Sequence, residues 1–131
     1  MIDTAIFTRL STDSQITTLA GTRIRAGVLA QGDAVPAISF FRVSTTPVQN
    51  LNNLQSNLER SRYQFNIWAK SPKAARELAV KVRARLDGLN TTLSGMRIFG
   101  IMLVNELDFY EDETGLFRVA QDYFITYRVA T

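Results

Sequence analysis

The strongest constraint on the fold is a strict alternation of apolar and polar side chains in the middle of the chain. Three apolar residues alternate here with three polar ones: Tyr63, Phe65 and Ile67 with Arg62, Gln64 and Asn66. Successive side chains of a strand point to opposite faces of the sheet. The pattern therefore predicts a strand in a sheet that is covered on one face and solvated on the other.

A helix is predicted directly after this strand, from Pro72 to Asp87. Ser71 is a favoured N-cap, and proline is favoured at the first helical position. The apolar residues of this stretch fall within an arc of about 100° on a helical wheel: Ala75, Leu78, Ala79, Val82, Leu86 and Leu89. Gly88 ends the helix. We expect its apolar face to pack on the sheet.

The remaining elements follow from the same periodicities. Helices are predicted over 3–11 and from Asp13 or Ser14 to Gly21. Strands are predicted over 22–31, 36–47, 62–69, 96–109 and 116–129. The order is αα-βββ-α-ββ, an α+β fold in which helices pack on a mostly antiparallel sheet of about five strands. We expect a single domain over 1–131.

The strand over 96–109 is predicted to place Phe99, Ile101, Leu103 and Leu107 on one face and Ile98, Met102 and Val104 on the other. In the strand that starts at Pro36, Phe41 and Val43 alternate with Phe40 and Arg42. Phe40, Trp68 and Phe124 lie among polar neighbours. These three aromatic residues indicate a contact surface and ordinary core packing about equally.

Between the second and third predicted strands lies an asparagine-rich segment with leucines at helical spacing. It contains Leu51, Asn52, Leu54 and Leu58. Asparagine disfavours a free helix, and long unstructured loops are uncommon in compact domains. We expect an arm that becomes ordered against another subunit, with a long surface loop as the alternative.

Composition excludes several kinds of site. The chain has no cysteine and no histidine, so it has no thiolate, no histidine base and no histidine metal ligand. We expect no enzyme activity, no cofactor and no catalytic or metal site.

No apolar run approaches the ~20 residues of a membrane span. The acidic residues Glu106, Asp108, Glu111, Asp112 and Glu113 are better explained by a solvated hairpin tip than by a metal site.

The net charge of +3 is ordinary for a soluble protein and is not the basic excess of a dedicated nucleic-acid binder. Arg23 and Arg25 share one face of a predicted strand, and Arg118 and Arg128 share a face of another. These arginines suit either the wall of a DNA passage or ion pairs between subunits. The sequence does not separate these two uses.

Several pieces of the chain together resemble the tail-completion or tail-to-head joining proteins of long-tailed bacteriophages, which are similar to tail terminators. The pieces are Pro47, Leu51, Leu54, Ser56 and Leu58; Arg62, Gln64, Trp68 and Ala69; the helix end from Val82 to Gly88; and the closing hairpin. Their order and spacing carry the resemblance, which runs from about Phe7 to Val129.

The resemblance implies a structural virion protein that forms a ring, typically hexameric, at the head-proximal end of the tail tube. Such a ring ends tube growth and joins the tail to a head completion or stopper protein. Genomic DNA passes through its lumen non-specifically. The implied partners are other copies of the chain, the tail tube protein and the head connector, and no membrane. The implied location is the head–tail interface of a virion assembled in the host cytoplasm.

An alternative from a different class is a small nucleic-acid-binding module that uses the basic face of the helix over 72–87. Glu77 and Asp87 interrupt that face, so a solvated helix surface explains it better.

Overall fold

The computed structural model describes residues 2–28, 34–50 and 54–128, with side chains for all of these except 49–50 and 54–57. Within these ranges the chain forms three helices and six strands. They are α1 (Ile2–Ser11), α2 (Ser14–Ala20), β1 (Ile24–Ala26), β2 (Ala37–Asn50), β3 (Leu54–Ala69), α3 (Pro72–Leu86), β4 (Thr91–Leu93), β5 (Met96–Glu111) and β6 (Leu116–Arg128).

The six strands form one sheet in the order β1-β2-β3-β6-β5-β4. Only the β1–β2 pair is parallel, and every other neighbouring pair is antiparallel. The sheet curls into a half-barrel. Strands β3 and β5 each have 16 residues, which corresponds to about 53 Å of extended chain. Helix α3, with 15 residues, is only about 22 Å long. The long hairpins therefore extend beyond the helical layer.

The prediction of about five strands in the order αα-βββ-α-ββ is wrong. A sixth strand, β4, pairs with the start of β5 through Thr91–Ile98 and Leu93–Met96. Three residues are too few to show a periodicity, so this strand is visible only through its partner.

The prediction of an arm between the second and third strands is also wrong. The residues on either side of 51–53 belong to strands. Strand β2 continues through Pro47 to Asn50, and β3 begins at Leu54. The two strands pair from Pro47–Glu59 to Asn50–Leu54, with a register shift after Val48. Pairing satisfies the backbone groups that the arm hypothesis left to a neighbouring subunit. Proline is tolerated because β2 is at the edge of the sheet here.

The predicted starts of the second and third helices are confirmed by their caps, whereas α1 begins at Ile2, one residue before the predicted start. The side chain of Asp13 accepts a hydrogen bond from Gln15 N at 2.8 Å. Ser71 Oγ accepts one from Ala74 N at 3.1 Å. At the end of α3, Gly88 has a φ of 83°, and its N–H donates to Ile101 O at 2.7 Å. This conformation, which favours glycine, turns the chain from the helix towards β4.

One face of the sheet packs against the helices to form the core. Phe65 is central: it stacks on Phe40 at 5.4 Å and meets Tyr123 edge-on at 5.3 Å. Helix α3 contributes the apolar stripe predicted from its sequence, apart from Leu89, which is only partly buried against the core: Ala75, Leu78, Ala79, Val82 and Leu86 are all buried. The core therefore lies between β2, β3, β5 and β6 on one side and the helices on the other.

Buried polar groups join the helices to the sheet. Gln121 is fully buried; its Nε2 donates to Ala79 O at 3.0 Å and to Glu106 Oε1 at 2.7 Å, and its Oε1 accepts from the Tyr123 hydroxyl. The Tyr63 hydroxyl donates to Asp3 Oδ1 at 2.5 Å. Burial, and then this hydrogen bond, raise the pKa of Tyr63 well above its usual value. Both contacts orient a helix on the sheet.

The C-terminal ends of α1 and α3 are held together by two arginines. Arg9 Nε donates to Arg85 O at 3.1 Å, and Arg85 Nε donates to Arg9 O at 2.9 Å. Arg85 also forms an ion pair with Asp13 at 3.6 Å. Each guanidinium satisfies carbonyl groups that a helix end leaves without partners.

Two β-bulges in β5 overturn the predicted assignment of its faces. Register shifts occur between Ile98 and Gly100 and between Leu103 and Asn105. Each bulge reverses the alternation of side chains. Ile98 and Ile101 are therefore both buried, whereas Met102 and Leu107 are exposed.

Candidate assembly surface

The sheet face opposite the helices, which we call the helix-free face, collects five of the residues predicted to be functional. The core side chains of β3 and β6 are mainly odd-numbered, so the even-numbered ones point to the helix-free face. On β3 these are Leu58, Arg60, Arg62, Gln64, Asn66 and Trp68; on β6 they are Arg118, Ala120, Asp122, Phe124, Thr126 and Arg128. Five predicted site residues thus share one surface: Leu58, Trp68, Arg118, Phe124 and Arg128.

Arg118 is the centre of a cluster at one end of this face. Its guanidinium lies 4.4 Å from the ring centroid of Phe109 and 5.5 Å from that of Trp68. Its Nη1 donates to Asn66 Oδ1 at 2.7 Å, and its Nε lies 3.3 Å from Glu111 Oε1. The contact with Glu111 is an ion pair without hydrogen-bond geometry: within the described residues, neither Arg118 Nε nor Trp68 Nε1, both buried, has a hydrogen-bond acceptor. The cation is held mainly by rings and a carboxylate.

A second cluster occupies the middle of the face. Arg62 Nη2 contacts Asp122 Oδ2 at 2.7 Å, and Gln64 Nε2 donates to Asp122 Oδ1 at 3.3 Å. Asp122 is buried. The guanidinium of Arg60 lies over the ring of Phe124 at 4.1 Å. The arginines of this region therefore cover an aromatic ring or neutralise a carboxylate.

At the far end of the face, Phe99 lies between two arginines. Arg97 is 4.6 Å and Arg128 5.3 Å from its ring centroid. Arg128 is exposed and is opposite the half-buried Leu58 in the strand register. Five arginines on or beside the helix-free face are thus held against rings or carboxylates. Arg62 and Arg118 have carboxylate partners, whereas Arg60, Arg97 and Arg128 lie over rings.

The other two predicted arginines lie elsewhere. Arg23 Nε donates to Pro36 O at 3.0 Å, and its Nη2 donates to Leu19 O at 3.4 Å. Arg25 Nη1 donates to Thr22 O at 3.3 Å. Arg23 thus connects the end of α2 to the start of β2. The structure does not bring this pair together with Arg118 and Arg128.

Phe40 is not a surface residue. It is fully buried and packs on Phe65 in the core. The neighbouring Phe41 is 40% exposed and Val43 50% exposed. The pattern suggested the opposite phase because Phe40 shares its face with Arg42. In the structure that face is the helix side, and Arg42 is exposed on it.

The leucines of the predicted arm are only partly described. Leu51 and Asn52 lie outside the described residues. Leu54 begins β3, and its side chain is not described. Leu58 is half-buried, opposite Val48 on β2. A role of these residues in contacts between subunits remains a prediction.

The acidic residues near the β5–β6 turn are dispersed. Glu106 contacts Gln121, Asp108 contacts Arg76 Nη2 at 3.0 Å, and Glu111 contacts Arg118. In the part of the chain that the structure describes, no three carboxylates come close enough to hold a metal ion. Within the same part, no helix has the length and hydrophobicity to cross a membrane.

Two stretches of sheet edge have no paired strand among the described residues, and sequence reasoning did not locate them. On β2, β1 covers only Ile38 to Phe40, which leaves the outer edge from Phe41 to Pro47 without a neighbouring strand. We call this stretch the β2 edge.

The second stretch is on the opposite side of the sheet, on β5. Here β4 covers Met96 to Ile98, Ile101 bonds to Gly88 and Leu89, and Leu103 N donates to Asp87 Oδ1 at 3.0 Å. From Val104 to Glu111 no strand of the described residues pairs on the outer side, and we call this stretch the β5 edge. The two edges lie at diagonally opposite corners of the sheet.

Apolar exposure is concentrated along these edges. Seven of the ten large hydrophobic residues that are exposed in the described chain are on β2 or β5: Phe41, Val43, Met102, Val104, Leu107, Phe109 and Tyr110. Sheet edges of soluble proteins are usually protected, since an unpaired apolar edge pairs with other chains. These edges therefore have the character of a contact surface. The period-2 pattern shows which residues alternate but not which strands are outermost.

Comparison with known proteins agrees with a role in a phage particle. A family model described as "Tail completion protein gp17" matches residues 4–128. A chain in a solved structure titled "Virion of native gene transfer agent (GTA) particle" has a TM-score of 0.81 and 16% identity, with 97% of this chain and 94% of that chain covered. A second solved structure has a TM-score of 0.61 and 14% identity, with coverages of 99% and 95%. No curated protein sequence matches the chain.

The structural likenesses show a shared fold, and the family match spans nearly the whole chain. Together with the one-sided sheet and its apolar edges, the match identifies the kind of protein. This chain belongs to the family of the tail completion protein gp17 and is a structural protein of a phage virion.

Proposed function

We propose that copies of this chain assemble into a ring at the head-proximal end of the phage tail. The ring ends growth of the tail tube and joins the tail to a head completion or stopper protein. Genomic DNA passes through its centre.

The observation that carries this proposal is the pair of unpaired, apolar edges at opposite corners of the sheet. The β2 edge and the β5 edge are different surfaces. A contact between two different surfaces of identical chains is heterologous, and repeating it produces a closed ring or an open filament. A monomer in solution leaves both edges exposed to water, whereas each copy in a ring covers one edge of its neighbour.

The helix-free face suits the wall of a channel for DNA. Among the described residues, each of its arginines lies against a ring or a carboxylate, such as Phe124, Asp122 or Glu111, so no row of unpartnered cations faces the channel. Phosphate contacts of free cations add up and slow the movement of DNA. A wall with partnered arginines lets DNA pass without being gripped.

The alternative function as a nucleic-acid-binding module has less support. Of the five basic residues of α3, Arg76, Arg83 and Arg85 form ion pairs with Asp108, Asp87 and Asp13. The remaining two are Lys73 and Lys81. Two lysines do not give the dense basic stripe that salt-dependent DNA binding requires.

The test is to mix the purified chain with tail tube protein from the same particle. Native mass spectrometry should detect a ring oligomer, and electron microscopy should show tubes that end at a defined length with a ring at one end. In the variant Val43→Lys, a lysine on the β2 edge should block pairing and leave tubes of irregular length.

Val80→Lys provides a matched control. It is the same substitution at an exposed site, 65% accessible on α3 and away from both edges, and tube length should stay normal. A wild-type chain that remains monomeric with tubes present, and leaves their length unregulated, would contradict the proposed function.

A further inference from the structure

We propose that neighbouring copies in the ring join by antiparallel pairing of the β5 edge of one copy with the β2 edge of the next, with Arg42 opposite Asp108 and a stagger of four residues. This inference rests on the proposed ring and specifies the contact that builds it. The occupant of each edge is a second copy of the same chain.

The direction of the pairing follows from the sheet order. Strands β2 and β5 are separated by three antiparallel pairings, so they run in opposite directions. A neighbour related by rotation about the ring axis brings its β2 alongside β5 with that same relation. The contact between copies is therefore antiparallel, and the sheet continues from one copy into the next.

The contacts that already cover β5 exclude a pairing without a stagger. Across the sheet, Arg42 aligns with Tyr63, Tyr63 with Tyr123, and Tyr123 with Leu103. Without a stagger, Arg42 of the next copy would lie beside Leu103, whose outward N–H already bonds to Asp87. The neighbour must slide along β5 until it reaches the open part of the edge.

A slide of four residues, counted along β6, brings Arg42 to Asp108; along β5 the bulge makes the same slide five residues, from Leu103 to Asp108. Asp108 is opposite Val119, which is four residues from Tyr123 on β6. An even number keeps the helix-side faces of both copies on the same side of the joined sheet. The repeat is four strands wide (β2, β3, β6 and β5), so the stagger is one residue per strand. An eight-stranded barrel with a shear of eight has the same ratio of shear to strand number, and its strands tilt by about 36°. That tilt is within the usual range for closed barrels.

Backbone hydrogen-bond directions agree with this register. On β2, Ile38 N and Phe40 O point towards β1, so Arg42, two residues on, presents its N–H and C=O to the outside. On β5, Ile101 and Leu103 bond outwards. After the bulge, Asp108 belongs to the same outward set. Arg42 and Asp108 therefore form a hydrogen-bonded pair of the new ladder.

The side chains complement each other as well. Arg42 is exposed, and no ion pair is found for it among the described residues. Asp108 is half-exposed and binds Arg76 only at the surface, with side-chain exposures of 53% and 66%. Opposite charges directly across a pair of strands stabilise it, and like charges destabilise it. On the other face of the joined sheet, the same register places Ser44 opposite Leu107.

Disulfide cross-linking tests this register directly. The natural chain has no cysteine, so only the introduced pairs can form disulfides. Ser44→Cys would be combined in turn with Asn105→Cys, Leu107→Cys and Phe109→Cys, which test staggers of two, four and six residues. Ser44 and Leu107 form a non-hydrogen-bonded pair, for which Cα atoms lie about 4.5 Å apart, within reach of a disulfide. In tails assembled with each variant, we expect oxidation to link copies roughly tenfold more with Leu107→Cys than with either other partner.

A charge exchange gives an independent measurement. Arg42→Asp and Asp108→Arg should each weaken association by roughly two- to fivefold per contact, and the double variant should recover most of the loss. Arg76→Ala removes the internal partner of Asp108 but not the contact between copies, so it should assemble normally. Circular dichroism of each variant confirms that these surface changes leave the fold intact.

The outcomes distinguish failure of the edge pairing from failure of the proposed ring. Strongest linkage with Asn105→Cys or Phe109→Cys overturns the four-residue stagger. A ring in the mass spectrum without linkage from any of the three pairs overturns the edge pairing and leaves the proposed function standing. No ring and no capped tubes overturns both.

Discussion

Phe40 and Phe124 lie on opposite faces of one sheet, and replacing each with alanine should lower the stability by very different amounts. Phe40 is fully buried and stacks on Phe65 at 5.4 Å. Replacing a buried phenylalanine with alanine costs about 3–5 kcal/mol of unfolding free energy, from lost burial and from the cavity. Phe124 is half-buried and loses mainly its contact with Arg60, so we expect a cost of about 1 kcal/mol.

These energies convert into well-separated melting temperatures. The unfolding entropy of a chain of 131 residues is about 275 cal/mol/K at roughly 2.1 cal/mol/K per residue. Phe40→Ala should therefore lower the melting temperature by about 15 °C, and Phe124→Ala by about 4 °C. The sequence predicts that Phe124 contacts a partner, whereas Phe40 is buried in the core. Assembly should therefore be weakened more by Phe124→Ala than by Phe40→Ala, the reverse of the order for stability.

Two assays measure these effects. Urea unfolding followed by the fluorescence of the single tryptophan, Trp68, gives the free energy, and circular dichroism gives the melting temperature. Both should be repeated over a range of protein concentrations, since assembly adds to apparent stability. A cost below about 1 kcal/mol for Phe40→Ala, or equal costs for both variants, would refute the assignment of these two faces.

Three further predictions concern the helices and the core. Ser71→Ala removes the N-cap of α3 and should lower the unfolding free energy by about 1 kcal/mol, measured by urea unfolding, with Ser71→Asp as the rescuing control. Arg85→Ala removes the bond to Arg9 O and should cost about 1–2 kcal/mol; Arg83→Ala removes only an exposed ion pair with Asp87 and should cost less than about 0.5 kcal/mol. The raised pKa of Tyr63 means that its contribution to stability is complete below about pH 10 and is lost as the pH rises further, since the unfolded chain ionises first. Tyr63→Phe should therefore flatten the alkaline decline in melting temperature, and an unchanged decline would contradict the stated cause.

Local sequence signals located most of the long elements. Ser71 and Pro72 start α3, its apolar stripe faces the sheet, and the alternation of Tyr63, Phe65 and Ile67 marks the core side of β3. These predictions succeed because a cap, a helical stripe and a strand alternation each depend on residues close together in sequence.

Predictions about faces and partners were less reliable. In β5, two bulges reverse the alternation, so Ile98 and Ile101 share the core although their numbering suggests otherwise. In β2, the choice between Phe40 and Phe41 depends on where the helices pack. The asparagine-rich segment resembled an arm because its pairing partner, β3, is recognisable only once the two strands are aligned.

By itself, the sequence determined the position of the principal helix, the core side of the central strand, and the exclusion of thiol and histidine chemistry. Its resemblance to tail-completion proteins indicated the family that the comparison then identified. Only the tertiary structure decided which strands are outermost, which arginines are held by rings, and where the two unpaired edges lie. The reason is that edges and faces depend on the register between strands distant in the chain, and that register depends on bulges and helix packing that leave little trace in any short stretch of sequence.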